Sequence, residues 1–186
     1  MREFIVSHFD HALCVLLLFS RLGDIGSTYL VTPTLELEAN PIARRLGWRF
    51  IVLTIGACAL PYFNRNVAVM ALVAFLLVSA ANTGKIWMVR TMGEHEYKMM
   101  LLRLAARSKL WHALGGVAVS SIFIVLAGAV VSFFYPDPVK DWGFWLGAGV
   151  MLYGVVIALY SSLSFMSLFR QAKTPPESGS HGERAT

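Results

Sequence analysis

Apolar positions along this chain gather into five long runs, at 11–30, 45–63, 66–84, 111–134 and 143–168. A helix rises 1.5 Å per residue, so about 20 apolar residues cover the hydrocarbon of a bilayer, and each run is of that order. The pattern predicts an all-α integral membrane bundle of about five transmembrane helices. Arg21 and Asp24 interrupt the first run. Only Asn64, Arg65 and Asn66 separate the second from the third, which predicts a tight helical hairpin. The fourth and fifth are joined by Tyr135 to Asp141, where Pro136 and Pro138 end one helix and turn the chain. Between the third and fourth runs, Gly93 to Lys109 mixes Met99, Met100, Leu101, Leu102 and Leu104 with charge. That mixture predicts a basic helix on the membrane surface.

Residues 1–170 thus read as one transmembrane domain. Residues 171–186, rich in Pro, Gly and Ser, read as a disordered cytoplasmic tail. Asp10 before the first run, Arg21 and Asp24 within it, and the lack of an Ala-x-Ala site argue against a cleaved signal, so the run is expected to stay as the first helix.

Composition narrows the class. Charged residues make up 15% of the 186 and hydrophobic ones 56%, with a mean hydropathy of +0.61. A soluble domain carries about a quarter charged residues. An ordinary soluble enzyme, a disordered chain and a secreted disulfide scaffold are therefore excluded. The net charge of +5 does not point to nucleic acid, because the basic residues lie between apolar runs and not on one soluble face. Cys14 and Cys58 sit inside apolar runs without CxxC spacing, so they read as small buried residues and no metal site is expected.

Where the basic residues lie predicts orientation. Counting alternate segments, one set holds twelve Lys and Arg (Arg44, Arg45, Arg49; Lys85, Arg90, Lys98, Arg103, Arg107, Lys109; Arg170, Lys173, Arg184) and the other holds three (Arg2, Arg65, Lys140). The positive-inside rule puts the twelve in the cytoplasm, with the N-terminus outside and the C-terminus inside. Trp48, Trp87 and Trp111 then fall at inner ends of spans, and Trp142 and Trp145 at an outer end, where indoles prefer to lie. The expected location is the cytoplasmic (inner) membrane of a prokaryote. Lys98, Arg103, Arg107 and Lys109 are expected to face anionic lipid.

Candidate chemistry centres on Arg21, Asp24, Ser27 and Thr28, followed by Glu36, Glu38, Asn40 and Pro41. Ionisable groups inside a span cost about 2.5–3.5 kcal/mol each on insertion scales, so they turn inward and find partners. Arg21 and Thr28 lie three before and four after Asp24, on one helix face. Two readings stand side by side: a structural Arg21–Asp24 pair, or a working carboxylate. Glu38-Ala-Asn40-Pro41 likewise has a local explanation, with Asn40 as N-cap and Pro41 at the first helical position. On the expected topology, Asn82, His112, Ser161, Ser162 and Ser164 reach the same leaflet, as a cytoplasm-facing cavity would require. His8, His11, His95, His112 and His181 include no pair at matching depth for haem, and Glu94-His95-Glu96 lacks the HExxH spacing of a zinc protease. No cofactor is expected.

The order Asp24-x-x-Ser27-Thr28, a short loop, then Glu38-x-Asn40-Pro41 opening a helix resembles an uncharacterised group of small prokaryotic multi-span membrane proteins. The resemblance covers about a tenth of the chain and implies a membrane location and a helix hairpin, with no known activity. Short loops and the small-residue spacings Gly143/Gly147, Gly154/Ala158/Ser162, Gly116/Ser120 and Gly23/Ser27 favour a non-catalytic accessory subunit packing against other membrane proteins or its own copies. The rival reading is an intramembrane enzyme or ion conduit built around Asp24 and Glu38.

Overall fold

A computed structural model describes residues 2–38, 40–138 and 141–173; the expected tail beyond 173 lies outside the described residues. Helices make up the described chain: α1 (Arg2–Val31), α2 (Pro41–Leu46), α3 (Trp48–Leu53), a 3₁₀ segment (Thr54–Tyr62), α4 (Arg65–Met92), α5 (Glu94–Arg107), α6 (Leu110–Phe134) and α7 (Trp142–Lys173), with no strand among the described residues. Four of them, His8–Val31 within α1, then α4, α6 and α7, are long and apolar enough to cross a membrane. Gln171, Ala172 and Lys173, expected in the disordered tail, continue α7 instead.

The second apolar run, expected as one span over 45–63, is broken. Gly47 sits at φ 70°, a left-handed value that costs glycine little, and separates α2 from α3. From Thr54 the chain tightens into 3₁₀, around Gly56 and Pro61, whose missing N–H weakens an α ladder. A 3₁₀ helix rises about 2.0 Å per residue, so Trp48–Tyr62 covers about 27 Å, close to the roughly 30 Å of a hydrocarbon core. The segment is short in residues but not in reach.

Cross-links fix the course of the chain. At one end, Arg65 at the start of α4 forms a two-pronged ion pair with Asp10 of α1, 2.5 and 2.9 Å. Tyr62 meets His11 at 2.6 Å and Phe9 packs edge-on to Trp142 there. At the other end Val31 packs with Val89, and the Trp48 indole donates to the Pro33 carbonyl at 3.1 Å. So α1, α4 and α7 run one way, and Trp48–Tyr62 and α6 run back. Asn64 caps α4, accepting from the Asn66 and Val67 amides at 3.0 and 3.1 Å.

Small residues set the closest crossing. A Cβ on Gly147 of α7 would fall 2.5 Å from the Gly128 carbonyl of α6, and one on Gly128 would fall 2.6 Å from the Gly147 carbonyl. Gly149 and Gly154 also lie close against α4 and α6, where a Cβ would fall 2.9 Å from the nearest side chain. The small face of α7 is therefore used inside the chain. Gly116, by contrast, has open space beside it.

α5 follows Gly93 (φ 84°), the left-handed joint that lets the chain leave α4. It packs on α7 and α4 with Tyr97 and Ala105 buried, while Arg103, Arg107 and Lys109 stay exposed.

Candidate functional site

Towards the α5 end the helices part around a cavity of about 890 Å³. Its walls are α1 and the 41–57 stretch on one side and α7 on the other, with α4 behind and α5 and the 32–40 loop at the mouth. Below it, Leu13, Leu17, Cys58, Ala68 and Val69 close the bundle, with Leu17 0% exposed. The cavity is thus closed towards the Asp10 end of the bundle and is a dead end in that direction.

Its deep end is built on one face of α1. Arg21, 8% exposed, pairs with Asp24, 6% exposed, across one helical turn. The same guanidinium reaches Thr54 Oγ1 and donates to the Ile51 carbonyl at 3.4 Å, and it stacks 5.1 Å from the Phe75 ring centre. Thr54 also donates to Ile51 O at 2.5 Å, so the switch from α to 3₁₀ falls where Arg21 reaches in. Arg21 Nε finds no partner among the described residues. One turn on, Thr28 accepts from the Asn82 amide of α4 at 3.2 Å.

The mouth is shaped by the 32–40 loop. Leu35 adopts φ 60°, a left-handed value that costs a branched residue about 1–3 kcal/mol and needs holding in place. It is held by burial against Ala43 and Ile51. Glu94, at the first turn of α5, accepts from Thr32 Oγ1 and from the Thr34 amide at 3.3 Å, tying α5 to the loop. Glu36 pairs with Lys98 at 3.0 Å. Asn40 caps α2 through the Ile42 and Ala43 amides, while Glu38 Oε1 accepts from the Asn40 amide at 2.8 Å. Glu38 therefore serves the local turn and also lines the cavity, close enough for its charge to act on Asp24 and Lys85. Tyr97 borders the mouth, and burial raises its phenol above the ordinary tyrosine value, so the hydroxyl stays a neutral donor at pH 7.

Of the residues singled out from sequence, Arg21, Asp24, Thr28, Glu36, Glu38, Asn40, Asn82, Ser161 and Ser164 line this one cavity. Asp24 takes Arg21, not Glu38, as its partner. Ser27, His112 and Ser162 fall outside its lining. Ser27 is buried beside the cavity and donates back to the Asp24 carbonyl at 3.0 Å. His112 does not line the cavity but a shallow groove with Gly116 and Ser120 that adjoins it along α7, sharing Ile157, Ser161 and Phe165 with it. Lys98, expected to face lipid with Arg103, Arg107 and Lys109, turns to Glu36 at the cavity mouth. Lys85, which the sequence places at the polar inner end of α4, and Arg44, which it uses only for orientation, both line the cavity as well. For Lys85 a signal existed: it follows Asn82 by three, on the same face of α4.

No known family, curated protein or solved structure matches the chain.

Proposed function

We propose that this is a multi-pass protein of a prokaryotic cytoplasmic membrane that binds and handles a charged ligand in its own cavity, as a carrier or an enzyme. The observation that carries this is the cavity lining: four cations (Arg21, Arg44, Lys85, Lys98) and three carboxylates (Asp24, Glu36, Glu38) around a space within the usual size of small-molecule sites. Charge in an apolar bundle is costly, and a purely structural bundle has no need of seven such groups around open space. The dead end argues against an open ion pore. The accessory-subunit reading leaned on small-residue faces, and those of α7 are already taken up against α6 and α4.

The test is native mass measurement of the protein gently extracted from its membrane, alongside Val156→Trp, which fills the cavity from α7. A lone chain carrying a small-molecule or lipid mass that the tryptophan variant loses is the expected result. A stoichiometric protein partner with no such mass would return the accessory-subunit reading to first place.

A further inference from the structure

Two of the cavity's ion pairs are closed within the chain, Arg21–Asp24 and Lys98–Glu36. What is left facing the space is Lys85, Arg44 and Glu38. Neither Lys85 nor Arg44 makes a hydrogen bond or ion pair to a described residue, and Glu38 is occupied by the Asn40 amide. The balance is one uncompensated positive charge, which an anion would neutralise. The space is also two-natured, since Phe50, Ala57, Phe75, Val78, Val156 and Ile157 line its flank. That flank is not sealed by helix packing. Trp48–Tyr62 packs mainly on α1 and α4, and α7 on α4, α5 and α6, with at most marginal contact between the two among the described residues. Phe50 and Ala57 on one and Val156 and Ile157 on the other border the apolar part of the cavity from either side of this seam.

We infer that the ligand is an anionic amphiphile, with its acidic headgroup held by Lys85 and Arg44 and its hydrocarbon tail leaving sideways between Trp48–Tyr62 and α7. This rests on the reading of the cavity as a ligand site and adds the ligand's class. A soluble anion would use the two cations and leave the apolar flank idle; a zwitterionic lipid would use the flank and leave the positive charge unmatched. Arg and Lys hydrogen bonds to an anion are about twice as strong as neutral ones, so headgroup charge decides selectivity and the flank decides that the ligand has a tail.

The experiment is a native mass titration of the purified full chain in detergent with three probes: dioleoyl phosphatidic acid, dioleoyl phosphatidylcholine and glycerol phosphate. Phosphatidic acid, whose headgroup carries the net negative charge that phosphatidylcholine lacks, is expected to bind about tenfold more tightly, and glycerol phosphate is not expected to compete. Lys85→Met with Arg44→Met should erase that preference without lowering the unfolding temperature, and Lys85→Arg should keep it. Equal binding of the two lipids, an unchanged preference in the double variant, or full competition by glycerol phosphate would each overturn the inference. Val156→Trp separates the failures. If the two lipids bind equally and both are lost in that variant, the cavity is a ligand site and only the ligand's class is wrong. If phosphatidic acid is retained at the wild-type level, it binds outside the cavity, and the inference falls together with the cavity reading.

Discussion

Arg21 presents one edge of its guanidinium to Asp24 and another to Thr54, with its face on Phe75. Each charge is tolerated midway along a membrane-length helix because the other is there. Removing one partner of a buried pair leaves an uncompensated charge and costs about 3–5 kcal/mol, whereas removing both is often close to neutral. Asp24→Leu is therefore expected to lower thermal stability in detergent sharply, and Arg21→Leu with Asp24→Leu to recover most of it. Asp24→Asn, which keeps the shape and an acceptor oxygen for Arg21 but not the charge, should still fold, with a stability between Asp24→Leu and the wild type. A double variant as unstable as Asp24→Leu alone would show that Asp24 depends on Thr28 and its neighbours and not on Arg21. The residue-scale pattern was largely legible: spacings of three and four put Arg21, Asp24 and Thr28 on one face, and the Asn40-Pro41 start was readable as a cap. Ser27 and His112 were misplaced for a different reason. Spacing fixes faces within one helix, but nothing local records which helices become neighbours, so the shared leaflet of His112 did not become a shared cavity.

The unit at element scale is the α6–α7 crossing, where two glycine backbones meet. Nothing flexible is available to give way, since the atoms facing Gly147 are the Gly128 carbonyl and Ser132. Gly147→Leu should then force the helices apart and cost on the order of 1–3 kcal/mol, the usual range for overpacking, seen as a lower unfolding temperature. Gly116→Leu, where a side chain meets open space, is the control and should leave the unfolding temperature unchanged. Equal effects of the two would mean that glycine matters here for the helix backbone and not for the crossing. The five apolar runs were legible because span length is a direct property of sequence. The break in the second run was not. Gly47, Gly56 and Pro61 were visible, but not that the tightening into 3₁₀ begins at Thr54, where a side chain arrives from α1, thirty-three residues earlier. The small residues of α7 were visible too, without any sign of whether they met the chain's own helices or another copy.

At the scale of the molecule, the cross-links sort the basic residues by end. Asp10–Arg65, His11–Tyr62 and Phe9–Trp142 mark one end of the bundle. Thr32–Glu94, Glu36–Lys98 and Trp48–Pro33 mark the other. Arg44, Arg45, Arg49, the basic residues of α5 and those at the end of α7 all lie towards this second end, and the cavity mouth lies among them. Basic residues near an anionic leaflet contribute about 1 kcal/mol each, and translocating them is disfavoured during insertion, so this end is expected in the cytoplasm. The broken Trp48–Tyr62 stretch is what this orientation turns on. If it crosses, as its reach of about 27 Å allows, the chain makes five passes and its ends lie on opposite sides. If it only dips in and returns, Asn64 shares a side with Arg44, and Arg65 could not reach Asp10 at the opposite end of the bundle, as its ion pair requires. Reporter fusions after Arg107 and after Lys173 should both read cytoplasmic, and one inserted at Asn64 should read periplasmic. A cytoplasmic signal at Asn64 would mean that the segment does not cross. A periplasmic signal at Arg107 would turn the whole bundle over and open the cavity to the outside, to ligands of the other leaflet.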